Sequence, residues 1–221
     1  MKLLVLGGTG RCGKHVVQRA LAATHQVTVF VRNPSKLPSE VASKVKIIQG
    51  TLTDEKALST AVQGQDAIIS TLGPSGPGYK SFSTYNGFFP NFYKLLLRVM
   101  REQKVLRILA ITTTNVQDAK DQRSLTLSAI GSIAWLYGRV AWREFNEIGE
   151  TFKTEGHSLD WTVFRVGIIT DGKEGTVLDG YIGDQGSSVV ISREGMAAWL
   201  VRQVETSPPQ WVRQMPYISS V

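Results

Sequence analysis

The residues best placed to do chemistry stand near the start of the chain. Gly7-Gly8-Thr9-Gly10-Arg11-Cys12-Gly13 follows the apolar run Leu3 to Leu6 and precedes Lys14-His15-Val16-Val17. The glycine spacing suits a strand that reverses tightly into a helix while its backbone approaches an anion. Without a Cβ, Gly7 or Gly8 can take a positive φ, Gly10 leaves room for a pyrophosphate, and Gly13 lets helix and strand pack closely. The unpaired amides of the helix's first turn, and its dipole, then face the anion.

A second cluster selects among dinucleotides. Gln26 to Val31 reads as a strand, and Arg32 stands at its end, followed by Asn33-Pro34-Ser35-Lys36. A site for NAD usually carries an acid there for the ribose 2′-hydroxyl. A guanidinium instead pairs with a 2′-phosphate, and Lys36 adds a second charge. The expected cofactor is NADP(H).

These residues need elements to hold them. The run before Gly7 fits a strand buried on both faces of a parallel sheet, and Val16, Val17, Ala20 and Leu21 share one helix face. Further strands are expected over 44–49, 66–71, 107–112 and 161–166. Helices are expected from Thr53 or Asp54 toward Val62, from Asn91 to Gln103, over about 125–155, and from Arg193 to Glu205. Alternation of this kind implies an α/β fold: a parallel sheet with right-handed crossovers and helices on both faces. Ligands then sit beyond the carboxyl ends of the strands, along a rim formed by the Gly7 loop, Arg32, residues 50–52, 71–73, 112–114 and 166–168.

Pro74 to Pro90 reads as a long connection rich in Gly, Pro, Ser and aromatics (Tyr79, Phe82, Tyr85, Phe88, Phe89). It is either a lid over the substrate or a loop pinned to the core. From Gly167 onward short strands are expected, then the last helix and an extended tail.

Composition narrows the class. A hydrophobic fraction of 42% and a charged fraction of 19% over 221 residues fit one globular domain, 1–221, with about 167–221 completing the substrate side. The net charge of +7 is spread without a basic run, so no nucleic-acid partner is expected. Three His and one Cys offer no recognisable metal site. No signal peptide or membrane-spanning run is apparent, which makes a cytoplasmic protein without a membrane partner the expectation. The single Cys12 allows no intrachain disulfide and reads as a small inert residue.

The chain resembles the atypical short-chain dehydrogenase/reductase group, and within it small NmrA-like and biliverdin-reductase-B-like NAD(P)-binding proteins. The resemblance is carried by Gly7-Gly8-Thr9-Gly10-x-x-Gly13, Val31-Arg32-Asn33-Pro34-x-Lys36, Asp66 to Gly73, Leu159 to Arg165 and Ile191-Ser192-Arg193. It implies a doubly wound Rossmann-type sheet, a single domain with a small C-terminal substrate-side appendage. By position, Thr9, Gly10, Arg11, Cys12 and Gly13 would hold the pyrophosphate, and Arg32 and Lys36 the 2′-phosphate. Leu52 would face adenine, and Thr71, Leu72 and Gly73 would line ribose and nicotinamide. Thr112 and Val166 belong to the same rim, while Thr113 is the hydroxyl expected to polarise a substrate.

The chain departs from that pattern in four places. It has Gly50-Thr51 where the family often has Gly-Asp, Arg165-Val166-Gly167 for Arg-Pro-Gly, and Arg193-Glu194-Gly195 for Arg-Ala-Asp. It also lacks Tyr-x-x-x-Lys: Tyr85, Tyr93 and Tyr137 are followed four residues on by Phe89, Leu97 and Ala141. Tyr137 can still donate a proton, though a helix aromatic beside Trp135 and Leu136 is more often a core residue. His157 reads as a surface residue. The expectation is an NADPH-dependent reductase of a small or planar, largely apolar substrate, acting as monomer or homodimer. The alternatives are an isomerase, cyclase or rearrangement enzyme that retains the cofactor without net redox, and a dinucleotide-sensing regulatory protein.

Overall fold

A computed structural model describes residues 1–73, 87–122 and 124–221; within the helix 125–155 it describes side chains at Leu127 and from Arg139 onward. The strands are β1 (Lys2–Leu6), β2 (Gln26–Val31), β3 (Lys46–Gln49), β4 (Ala67–Ser70), β5 (Arg107–Thr113), β6 (Asp160–Val166), β7 (Ile168–Thr170), β8 (Val177–Gly180), β9 (Val190–Ser192) and β10 (Tyr217–Ser220). The helices are α1 (Gly13–Ala22), α2 (Ser39–Ala42), α3 (Glu55–Val62), α4 (Phe88–Glu102), α5 (Leu125–Glu155) and α6 (Arg193–Glu205).

The main sheet runs in the order β3-β2-β1-β4-β5-β6-β10-β8, and β7 pairs with β9 separately. Its pairings are parallel except for β8 against β10. Chain order reverses at β1, which lies between β2 and β4. In a doubly wound sheet the crevice for a ligand opens at that reversal, beyond the carboxyl ends.

Side-chain alternation along the strands builds two cores. Leu4, Leu6, Ile68, Ile108 and Ala110 pack beneath α3, α4 and α5 with Leu96, Phe152 and Trp161. Leu3, Val5, Ile69, Leu109, Ile111, Phe164 and Val166 face α1 and α6, with Val16, Val17, Trp199 and Leu200. Burial on both faces explains why β1 and β4 read as continuous apolar runs. Caps set the helix starts: Asp54 accepts from the Ala57 N–H at 3.0 Å, Ser124 from Leu127, and Ser192 from Gly195.

Two features differ from the sequence expectation. Helix α4 begins at Phe88, so Phe88, Phe89 and Pro90 form its first turn rather than the end of a loop. Proline is tolerated there because the N–H it lacks has no intrahelical acceptor. The remaining loop aromatics, Tyr79, Phe82 and Tyr85, lie outside the described residues. The C-terminal part is also less of an appendage than expected, since β10 and β8 extend the main sheet beside β6.

A buried ion pair ties that extension down. Arg165, fully buried in β6, donates to both carboxylate oxygens of Asp121, to the Val116 carbonyl at 3.0 Å and to the Met215 carbonyl at 2.7 Å. Burial alone would raise the Asp121 carboxyl. The guanidinium and the N–H groups of Asp118 and Ile182 outweigh it and hold the carboxyl below the usual carboxylate range.

Candidate functional site

The glycine loop has the geometry its spacing implies. Gly7 takes φ +83°, and a Cβ there would meet Thr71 Oγ1 at 2.8 Å. A Cβ on Gly13 would run into the Gly7 carbonyl oxygen at 2.1 Å and Gly8 Cα at 2.9 Å, so only glycine lets α1 start this close to β1. Gly10 differs: its Cβ would meet only the Gly7 carbonyl oxygen, at 3.1 Å, and the rest of that side is open. The Gly10 N–H bonds to the Gly7 carbonyl at 2.8 Å and closes the turn. Among the described residues no acceptor takes the N–H of Arg11, Cys12 or Gly13, and Cys12 at the start of α1 makes no side-chain cap. Thr9, Gly10 and Arg11 are exposed, so the loop leaves these donors open at the positive end of α1.

Cys12 is half-buried against the α1 and α6 core. Burial pushes its thiol up, against the lowering effect of Arg193. That agrees with an inert thiol rather than a reactive one.

At the end of β2, Arg32 is exposed and makes no ion pair among the described residues; Lys36, on the turn Pro34–Lys36, is likewise exposed and unpaired. Among the described residues no carboxylate pairs with either cation: Asp54 caps α3, and Glu55 pairs with Arg98 at 2.7 Å. Leu52 is half-buried against the core beneath α3. Gly50 is held by packing, since a Cβ would strike the Phe30 ring and Ala57.

The β4 end is built by residues distant in sequence. The Thr71 N–H and hydroxyl both reach the Leu6 carbonyl, at 3.0 and 3.2 Å, fixing Thr71 over β1. Tyr93 of α4, fully buried, shares a 2.7 Å hydrogen bond with Ser70 and donates to the Leu72 carbonyl at 3.2 Å. Its hydroxyl is driven well above the usual phenol range by burial, which suits a fixed donor and excludes a titrating acid near neutrality. The Phe145 ring of α5 lies so close to Gly73 that a Cβ there would meet it at 2.8 Å. Glu144, also fully buried, accepts from the N–H groups of Gly87 and Phe89 and so caps the start of α4. Glu144 and Phe145 carry no sequence signal, because the residues their side chains meet at this end, Gly87, Phe89 and Gly73, lie more than fifty residues away.

At the carboxyl end of β5 the two threonines part. Thr112 faces α5, fully buried, with its hydroxyl 3.4 Å from the Phe145 carbonyl. Thr113 follows on the opposite face, paired in register with Val166, and its buried Oγ1 has no hydrogen-bond partner among the described residues. Val166 packs its side chain into the core and can offer a ligand only its backbone. Tyr137 lies on α5, with its side chain outside the described residues. His157 is exposed, as expected. No metal-holding cluster of His, Cys, Asp or Glu occurs among the described residues, and none of their helices is long and apolar enough to cross a membrane.

A final set of residues meets the glycine loop from the far end of the chain. Arg11 donates to Asp171 Oδ2 at 2.9 Å, and Arg193, at the start of α6, donates to Asp171 Oδ1 at 2.5 Å. Arg19 pairs with Glu174 alongside, at 2.9 Å.

Comparison with known proteins agrees with this geometry. An isoflavone reductase homolog from Zea mays is 39% identical over 80 residues, 33% of this chain and 26% of that protein. The chain therefore spans about a quarter of the length of the curated relative it matches. Among solved structures, a short-chain dehydrogenase/reductase from Veillonella parvula in complex with NADP superposes with TM-score 0.77 at 12% identity, over 99% of this chain and 94% of that one. ChuY, an anaerobillin reductase from Escherichia coli O157:H7, superposes with TM-score 0.75 at 19% identity, over 100% of this chain and 97% of that one. These likenesses show the shared fold. A family model described as NAD(P)H-binding matches residues 7–207, from the first glycine of the loop to beyond α6, and the chain belongs to that NAD(P)H-binding family.

Proposed function

We propose that the protein is an NADP(H)-dependent reductase of a small or planar, largely apolar substrate. The observation that carries the reading is the pairing of two rim features. An open Gly10 face precedes amides at Arg11, Cys12 and Gly13 that no acceptor takes among the described residues, and an Arg32 with no ion pair among them stands where an NAD site would hold a carboxylate. The residues present fit the dinucleotide. Thr9 to Gly13 would hold its pyrophosphate, Arg32 and Lys36 its 2′-phosphate, Leu52 its adenine, and Thr71 to Gly73 its ribose and nicotinamide end. When bound, the nicotinamide supplies a hydride.

The chain's own part is to bind, orient and polarise. Thr113 is the group we assign to the substrate. An unmet buried hydroxyl costs about 1–3 kcal/mol, and a substrate carbonyl at this strand end would take its hydrogen bond. Tyr93 and Phe145 keep the β4 end rigid beside it. With no Tyr-x-x-x-Lys in the sequence, the proton comes from solvent or through Thr113. The reductase names of the maize relative and ChuY support the reaction class, and the NADP complex of the Veillonella protein supports the cofactor. We read the whole chain as one catalytic domain, acting in the cytoplasm as monomer or homodimer.

The test is loss of 340 nm absorbance when purified protein and NADPH meet a panel of quinones, flavins and enones. Turnover of a panel member with stoichiometric NADPH consumption supports the reading. Conversion at constant NADPH would make the protein an isomerase or cyclase, and tight binding without turnover a dinucleotide sensor.

A further inference from the structure

The cluster Arg11, Asp171 and Arg193 has a feature that packing does not explain. The Arg193 side chain is only 8% exposed, yet its sole carboxylate among the described residues is that of Asp171, which is 69% exposed. Its Nε is buried without a hydrogen-bond partner among the described residues. Burying a guanidinium with one of its donors unmet is costly. The Arg193 guanidinium also acts on the thiol of Cys12, the residue that opens α1, which places it beside the start of that helix. Ser192 already caps α6, so Arg193 is not there to finish its own helix.

Charge points the same way. Two guanidinium groups and the positive end of α1 converge on one spot, and a single carboxylate opposes them. The nearby Glu174 pairs with Arg19, and Glu194 accepts from the Glu174 N–H. A group bearing two negative charges would balance the spot better than Asp171 does. Asp171 also spends one oxygen on each arginine, 2.9 Å to Arg11 and 2.5 Å to Arg193. Two oxygens shared between two guanidinium groups is the pattern a phosphate would make.

From these observations we infer that Arg193 and Arg11 form a clamp for the dinucleotide's pyrophosphate, and that Asp171 is the place-holder the phosphates displace. The inference rests on the dinucleotide reading above and adds to it a ligand from the far end of the chain. Arg11 is 73% exposed and free to swing with the ligand, whereas Arg193 is fixed by burial and sets the position. Asp171, on an exposed turn after β7, can leave without disturbing the core.

Calorimetric titration with two probes tests this: NADPH, and adenosine 2′-monophosphate, which keeps the 2′-phosphate and lacks the pyrophosphate. Arg193→Met should weaken NADPH by about tenfold or more, the size of a lost hydrogen bond to a charged group, and leave adenosine 2′-monophosphate unchanged. Asp171→Asn should tighten NADPH, because the competitor is neutralised. Equal weakening of both probes by Arg193→Met, no weakening of either, or weaker NADPH binding by Asp171→Asn would overturn the clamp. If Arg193→Met does not fold, the sign of the Asp171→Asn effect decides alone. A wild-type protein that takes up neither NADPH nor NADH refutes the cofactor reading itself, whereas normal uptake with indifferent variants refutes only the clamp.

Discussion

Gly10→Ala and Gly13→Ala form a contrast that separates ligand approach from chain packing. A Cβ on Gly13 would lie 2.1 Å from the Gly7 carbonyl oxygen and 2.6 Å from its carbon, both backbone atoms of the β1–α1 turn. Neither can rotate away, so α1 must lift off the strand. Overpacking of this kind costs about 3 kcal/mol. At about 2–4 °C per kcal/mol for a chain this size, Tm should fall by roughly 6–12 °C. Gly10→Ala meets one atom at 3.1 Å in a backbone conformation open to any residue. The lower entropy of the unfolded chain returns about 0.4–1 kcal/mol, so Tm should barely change. The new methyl still faces the ligand. It should push the pyrophosphate off the Arg11 to Gly13 amides and weaken dinucleotide binding by about tenfold or more. The assay is a melting curve and a nucleotide titration on both variants and the parent. Unchanged affinity in a folded Gly10→Ala variant would refute the idea that the anion approaches over Gly10.

Three further outcomes are expected. Arg32→Asp should lower NADPH affinity far more than NADH affinity in parallel titrations; equal losses would remove the 2′-phosphate assignment. Thr113→Val should lower kcat by about 10²-fold if the hydroxyl polarises the substrate, while the melting temperature holds or rises because a buried unmet hydroxyl is gone. Asp121→Asn should cost about 3 kcal/mol at neutral pH by stripping the buried Arg165 of its counter-charge. Since the Asp121 carboxyl is held below its unfolded value of about 4, its stabilisation is full above that pH and lost as pH falls through the lower folded value. The variant should therefore lack this acid-limb slope in denaturation curves taken between neutral pH and pH ~3; an identical slope would show that the pair contributes no pH dependence.

The scaffold and the near half of the site were readable from local pattern. The apolar runs of β1 and β4, the glycine spacing and the cap at Asp54 are short-range signals, and each matched its element. The start of α4 was misread because Phe88-Phe89-Pro90 has the composition of a loop. What makes it helix is Glu144, a buried carboxylate 55 residues on that accepts from Phe89. Separation along the chain also hides the Phe145 contact with Gly73 and the bond from Tyr93 to Leu72, which stiffen the β4 end. Asp171 and Arg193 meet the glycine loop only because α6 packs beside α1 on one face, a consequence of topology that no local spacing records. Val166 lay on the right strand end, but alternation turned its side chain inward.

One measurement bears most directly on the whole reading: calorimetric titration of folded wild-type protein with NADPH and, separately, with NADH. The expected result is saturable uptake of NADPH at one site per chain, tighter than NADH. Absence of uptake of either nucleotide would contradict it, and tighter binding of NADH would contradict the role given to Arg32.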